Sequence, residues 1–284
     1  MADMKTILVT GATGNVGHAV TRALLGRGLG VKAGTTRPET AKVPDGAQVV
    51  KVVYEQPDTV ATALKGVDGL FLVAPPLDPA APALLIPVID QARAAGVNHI
   101  VFNSALGVDQ NETAPLRVIE RYLMTAGVNY TILRPNFFME NFSSGFLASM
   151  IAQGGIYLAA GEGKTSFVCT DDIAATAATA FEKKQFGAAY NLTGPSALDH
   201  AQVAGIISEV TGRSIRYHSL AEEEMLQGAR DQGLPESAVQ YMAVLYQVVR
   251  QGWMAVITED VQKVTGRPPL AFSAFAQKHA SAWR

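Results

Sequence analysis

The stretch Thr6-Ile7-Leu8-Val9-Thr10-Gly11-Ala12-Thr13-Gly14-Asn15-Val16-Gly17 decides the fold. Its first five residues are an apolar run of strand length. Gly11, Gly14 and Gly17 follow at intervals of three. Val16, Ala19, Val20, Ala23 and Leu24 then fall on one face of a helix, and Gly28 and Gly30 supply its stop. Strand, glycine loop and helix in that order are what a dinucleotide's pyrophosphate requires. Glycines allow a tight turn and close backbone approach, and the last one lets helix and strand pack. The helix start offers unpaired N–H groups and partial positive charge to phosphate. The predicted cradle is Gly11, Thr13, Gly14, Asn15, Val16 and Gly17.

Outward from this loop the first half keeps alternating. Strand-length apolar runs occur at Val31–Thr35, Gln48–Val53, Leu70–Ala74, His99–Asn103 and Asn129–Arg134. Helical stretches lie between them, including Asp58–Leu64 and Thr113–Ala126, and Pro87 predicts a kink or late start within Ala81–Ala95. The alternation predicts an α/β fold, a Rossmann-type doubly wound parallel sheet. The texture changes near residue 150, where Gly154-Gly155 and Gly161–Lys164 read as loops. Beyond them come a helix at Asp171–Lys184, a strand at Ala188–Thr193, a helix at Asp199–Thr211, a strand at Ile215–Ser219 and a mostly helical remainder. The expected division is a dinucleotide-binding domain over 1–150 and a smaller C-terminal α+β substrate lobe over 151–284, with segments returning to the main sheet.

Composition narrows the function classes. The chain has 284 residues, 48% of them hydrophobic, and a net charge of −2, enough for a large core and wrong for disorder. Without basic clusters there is no expectation of nucleic acid or a charged membrane surface as partner. No apolar run nears the roughly 18 residues of a membrane span. One cysteine, Cys169, excludes an intrachain disulfide, and the five histidines lack metal spacing. The expectation is a cytoplasmic protein without a metal.

The loop resembles the short-chain dehydrogenase/reductase superfamily, whose atypical and extended members carry TGATGxxG. The resemblance continues through Leu64–Gly69, Ala94–Val101 and Tyr130–Asn136. Thr170–Ala174 and Tyr190–Gly194 are similar to the substrate-lobe pattern of its NmrA-like subgroup. That group includes NADPH:quinone oxidoreductases and triphenylmethane-dye reductases, with isoflavone-type reductases more distant. The resemblance implies a nicotinamide cofactor and a flat aromatic or quinone-like substrate.

NADP(H) is the expected form. An NAD site places an acid at the end of the second strand, whereas this strand ends Thr35-Thr36-Arg37-Pro38-Glu39. Arg37 suits a 2′-phosphate, with Thr36 adding a hydroxyl. Where relatives carry Gly-Asp-Tyr near the end of the third strand, this chain reads Val52-Val53-Tyr54, so Val53 replaces an acid beside the adenine.

The chemistry is marked by what is missing. None of the eight tyrosines (54, 122, 130, 157, 190, 217, 241, 246) is followed four residues later by lysine. The Tyr-x-x-x-Lys pair that protonates a developing alkoxide is therefore absent. Quinones, enones and triarylmethane cations spread or cancel the incoming charge and need that acid less. The strand tips Ala74-Pro75, Ser104 and Pro135-Asn136 are expected to face the nicotinamide, with Ser104 and Asn136 as candidate catalytic donors. Phe137, Phe138 and Tyr157 are candidate substrate contacts, and Trp253 a weaker one. The leading reading is an NADPH-dependent oxidoreductase acting on a conjugated acceptor. The alternative is a non-catalytic NADP(H) sensor of NmrA type. A sugar-nucleotide epimerase fits poorly without the Tyr-Lys pair. The oligomeric state stays open, with a homodimer as one candidate.

Overall fold

The computed structural model describes residues 5–145 and 147–283. In chain order the elements are β1 (Thr6–Val9), α1 (Asn15–Leu25), β2 (Gly30–Thr35), β3 (Gln48–Lys51), α2 (Pro57–Leu64), β4 (Gly69–Val73), α3 (Ala81–Ala94), β5 (His99–Asn103), α4 (Pro115–Thr125), β6 (Asn129–Pro135), α5 (Ala148–Ala152), β7 (Gly155–Leu158), α6 (Thr170–Glu182), β8 (Ala188–Leu192), α7 (His200–Thr211), β9 (Arg216–Ser219), α8 (Glu222–Asp231), α9 (Glu236–Arg250), α10 (Asp260–Thr265) and α11 (Phe272–Lys278).

Seven strands form one parallel sheet in the order β3-β2-β1-β4-β5-β6-β8. The order reverses between β1 and β4, and open α/β sheets bind ligands at such a switch point. Side chains alternate across the sheet because the strand period is two. Ile7, Val9, Phe71, Val101 and Leu133 join one buried layer with residues of α1 and α6. Leu8, Leu70, Leu72, Ile100, Phe102 and Ile132 join the other, under α2, α3 and α4. Near-continuous apolar strands are thus the consequence of two covered faces.

The second half divides between two places. Helix α6 packs on α1, where Arg22 pairs with Asp171 and Arg27 with Glu182, and β8 extends the main sheet beside β6. A separate core, including Phe142, Phe167, Phe272, Phe275 and Trp283, fills the remaining lobe. There β7 and β9 form a two-stranded parallel sheet.

Two local expectations need correction. Gly155 does not belong to a loop but opens β7, its missing side chain leaving room for the Tyr157 ring, which a Cβ would meet at 2.5 Å. Pro87 neither delays nor divides α3, which runs uninterrupted from Ala81 to Ala94. Pro87 and Ala83, whose carbonyl loses its bond to a prolyl nitrogen, are both exposed, so water can serve that oxygen.

Candidate active site

The carboxyl ends of β1 and β4 are tied together at the switch point. Thr10 donates its backbone N–H to Phe71 O at 3.0 Å, and its Oγ1 accepts from Val73 N at 3.0 Å. The chain then turns at Gly11 with φ +60°, a left-handed conformation natural to glycine. Gly14 precedes α1 in extended conformation, and no side chain caps the helix. Gly11, Thr13, Gly14 and Asn15 are exposed, whereas Val16 and Gly17 are buried beneath them. A Cβ on Gly17 would stand 2.2 Å from Gly11 O and 2.9 Å from Ala12 Cα. A Cβ on Gly14 would meet only Gly11 O, at 3.4 Å. Gly17 therefore permits the turn itself, while Gly14 keeps its outer side clear. An uncapped helix start behind an open glycine turn fits a pyrophosphate.

At the end of β2, Thr36 and Arg37 are exposed, and Arg37 makes no salt bridge among the described residues. Its backbone N–H donates to Thr35 Oγ1 at 3.3 Å. Val53 is half-buried beyond β3. Tyr54 beside it sends its hydroxyl to Val73 O at 2.7 Å, and burial pushes its pKa up to about 12. This phenol bridges the ends of β3 and β4 as a neutral strut.

The predicted catalytic donors are heavily engaged. Ser104 is buried, and its hydroxyl donates to Glu120 Oε1 at 2.7 Å. Glu120 is fully buried and also holds Arg134 at 2.8 and 2.9 Å and Arg117 at 2.9 Å. Arg134 continues to Asp109 at 2.7 Å and Arg117 to Glu112 at 2.8 Å. Burial alone would raise the Glu120 pKa. The hydrogen bonds from Arg134, Ser104 and Arg117 outweigh it and hold the carboxyl below its ordinary range.

Asn136 is equally committed. Its amide nitrogen donates to Ser166 Oγ at 2.8 Å and Met254 O at 2.9 Å, and its oxygen accepts from Phe137 N at 2.9 Å. Both donor hydrogens are spent, so the side chain as placed joins β6 to the lobe and has none left for a substrate.

The other expected contacts are dispersed. Ala74 and Pro75 are half-buried after β4, and Pro135 is buried at the end of β6. Phe137 packs into the lobe core and Phe138 into the α1/α6 layer. Tyr157 is exposed on β7 and stacks on His218 with ring centres 4.7 Å apart. Asn15 Oδ1 receives the Ser144 hydroxyl at 3.3 Å, which brings the segment after β6 up to the glycine loop.

Two residues outside the expected set stand out. Asn103, the last residue of β5, is 9% exposed, and its buried Oδ1 has no partner. It shares strand parity with Val101, on the sheet face that carries α1. An amide acceptor left without a partner is costly, and this one is closed off from solvent at the end of β5. Its sequence signal was a polar residue ending an otherwise apolar run. The second is Glu140, which accepts from Thr170 N at 3.0 Å and Cys169 Sγ at 3.3 Å. It serves the first turn of α6 from thirty residues upstream, and burial raises its pKa. Tyr122 lies away from the tips, its hydroxyl on Asp90 at 2.6 Å. Among the described residues no cluster could hold a metal ion, and no helix is long and apolar enough to cross a membrane.

Comparison with known proteins agrees with this architecture. The model of the NmrA-like family matches residues 3–256. An NAD(P)H azoreductase from Xenophilus azovorans is 34% identical, covering 98% of this chain and 99% of the relative. Among solved structures, a triphenylmethane reductase from Citrobacter sp. superposes with a TM-score of 0.83 at 25% identity, covering 98% and 99% of the two chains. An NADPH-dependent quinone oxidoreductase from Escherichia coli superposes with a TM-score of 0.80 at 27% identity, covering 96% and 98%.

Proposed function

The chain belongs to the NmrA-like family, and from that premise we propose that it is an NADPH-dependent reductase of quinone-like or other conjugated aromatic acceptors. Several of its relatives are oxidoreductases, among them the NAD(P)H azoreductase, and this chain is an NAD(P)H-dependent oxidoreductase. NADPH, when bound, supplies a hydride equivalent, and a quinone taking it up with one proton from solvent becomes the hydroquinone.

Each part of the chain has a task. The amides at the start of α1 hold the pyrophosphate, with Gly14 leaving the approach open. Arg37 and Thr36 take the 2′-phosphate. Asn103 ends β5 among the strand tips, beside the nicotinamide half. Val53 and the neutral Tyr54 leave the adenine side apolar. Ser104 and Asn136 act by holding the tips of β5 and β6 in place.

The observation that carries the reading is the state of those tips. Ser104 spends its proton on Glu120, Asn136 spends both amide hydrogens on Ser166 and Met254, and no tyrosine of the sequence is followed four residues later by lysine. A site so built stabilises a localised alkoxide poorly. It suits an acceptor that delocalises the charge it receives.

The test is NADPH oxidation with menadione, a triarylmethane cation and cyclohexanone as acceptors. Menadione or the dye should turn over, and cyclohexanone should be slower by about 100-fold or more, the share a positioned acid ordinarily supplies. Comparable rates on cyclohexanone would defeat the argument. Tight NADPH binding with no turnover on any acceptor would instead make the chain a cofactor sensor.

Cofactor preference rests on Arg37. A hydrogen bond to a charged group contributes about 1.5–3 kcal/mol, so Arg37→Ala should weaken NADPH by roughly 10- to 150-fold and leave NADH nearly unchanged. Calorimetry on both cofactors reads this directly. Equal weakening of the two would remove Arg37 from the 2′-phosphate.

A further inference from the structure

Six large hydrophobic side chains are exposed among the described residues, and three of them, Trp253, Val256 and Ile257, fall within five positions. The segment Gly252–Thr258 that carries them contains no charged residue. Scattered single apolar side chains on a surface are ordinary, but three on one short segment are not.

This segment is fastened to the strand tips by its backbone. Met254 O accepts from Ser166 N at 3.0 Å and from Asn136 Nδ2 at 2.9 Å, and Val256 O accepts from Ser166 Oγ at 2.5 Å. Thr258 N donates to Thr193 Oγ1 at 3.0 Å, beyond the end of β8. The Met254 side chain is buried, its Cε 3.6 Å from where a Cβ on Gly107 would stand, in the loop that follows β5 and Ser104. The polar backbone and Met254 thus face the tips of β5, β6 and β8, and Trp253, Val256 and Ile257 are left in solvent at the same edge. Held by this many bonds, the segment is a fixed wall.

We propose that Trp253, with Val256 and Ile257, is the surface that recognises the acceptor, and that its occupant is a planar, conjugated, uncharged or cationic molecule. This rests on the proposed reductase activity and names the part of the chain that selects its substrate. The indole offers a flat face for stacking and for a delocalised cation, and the two branched side chains extend the apolar area. The segment itself carries no charge, so recognition on it rests on shape and apolar area.

Binding can be read without turnover, because the chain has two tryptophans. Trp253 is 60% exposed, whereas Trp283 is fully buried with its indole N–H on Phe142 O at 2.6 Å. Menadione added to the NADP⁺-loaded protein should quench indole fluorescence saturably, and Trp253→Phe should abolish that saturable component. Trp253→Ala should raise the menadione KM about tenfold with kcat little changed, as expected when binding common to ground and transition states is lost. NADPH affinity and elution volume on size exclusion should stay as in the parent. Val244→Ala, which removes another exposed side chain on α9, should alter none of these. Saturable quenching without turnover would support the surface and defeat the reductase reading. Turnover with an unchanged KM in Trp253→Ala would defeat the surface alone. A change of oligomeric state in Trp253→Ala would assign the patch to a second copy of the chain and overturn the proposal.

Discussion

Gly14→Val is expected to fold normally and to lose NADPH. Gly14 has φ −85° and ψ 169°, an extended conformation that valine adopts freely, and a Cβ there meets only Gly11 O at 3.4 Å. The fold has little reason to object. The added branches nevertheless stand on the outer side of the turn, where phosphate must come within hydrogen-bond distance of the backbone. Losing two charge-assisted bonds at about 1.5–3 kcal/mol each would weaken binding by at least about 100-fold. Gly17→Ala separates the two roles of the loop. Its Cβ would sit 2.2 Å from Gly11 O, a backbone atom that cannot swing aside, so the turn must rearrange. That variant should lose both thermal stability and NADPH affinity. Melting curves beside calorimetry distinguish the cases. Parental NADPH affinity in Gly14→Val would remove the pyrophosphate from this loop.

Glu120→Ala, on α4 beside the tips of β5 and β6, should be strongly destabilising. The carboxylate is fully buried and joins Ser104, Arg117 and Arg134. Its removal leaves two largely buried guanidiniums short of an acceptor, a situation that costs about 3–5 kcal/mol. Glu112 and Asp109 still hold the outer ends of the two arginines, so the lower end of that range is expected. The pH dependence has a definite sign. Because the folded carboxyl has a depressed pKa, its contribution is full above the ordinary value of 4.5 and fades as pH falls below it. Glu120→Gln should flatten stability in that acid window. Denaturant unfolding at neutral and acid pH checks both statements. A loss of under about 1 kcal/mol in Glu120→Ala would mean that the pocket relaxes around the arginines.

The same network explains why the candidate donors were hard to judge from sequence. Ser104 and Asn136 were expected at the strand tips, and they stand there, because strand phase and the position of the tips are local properties. What their hydrogens do is not local. Ser104 is satisfied by a residue sixteen positions ahead, and Asn136 by Met254, 118 positions away. Nothing in the spacing of either residue announces such a partner. The surroundings of Tyr157 are non-local for a related reason: its strand, β7, pairs with β9 in the lobe, and pairing between strands sixty residues apart has no short-range signature.

The sequence by itself determined the parallel sheet, the glycine turn and the absence of an acidic residue at the end of β2. These follow from periodicity of two and 3.6, from glycine's lack of a Cβ, and from residue type at a strand end. Only the tertiary structure decided the rest. It chose β6 as the neighbour of the returning strand β8, capped α6 with Glu140 and set the apolar segment 253–257 against the strand tips. Each of these joins residues distant in the chain. Their energy comes from burial and from polar groups that must find partners once water is excluded, and that requirement has no counterpart in the local pattern of residues.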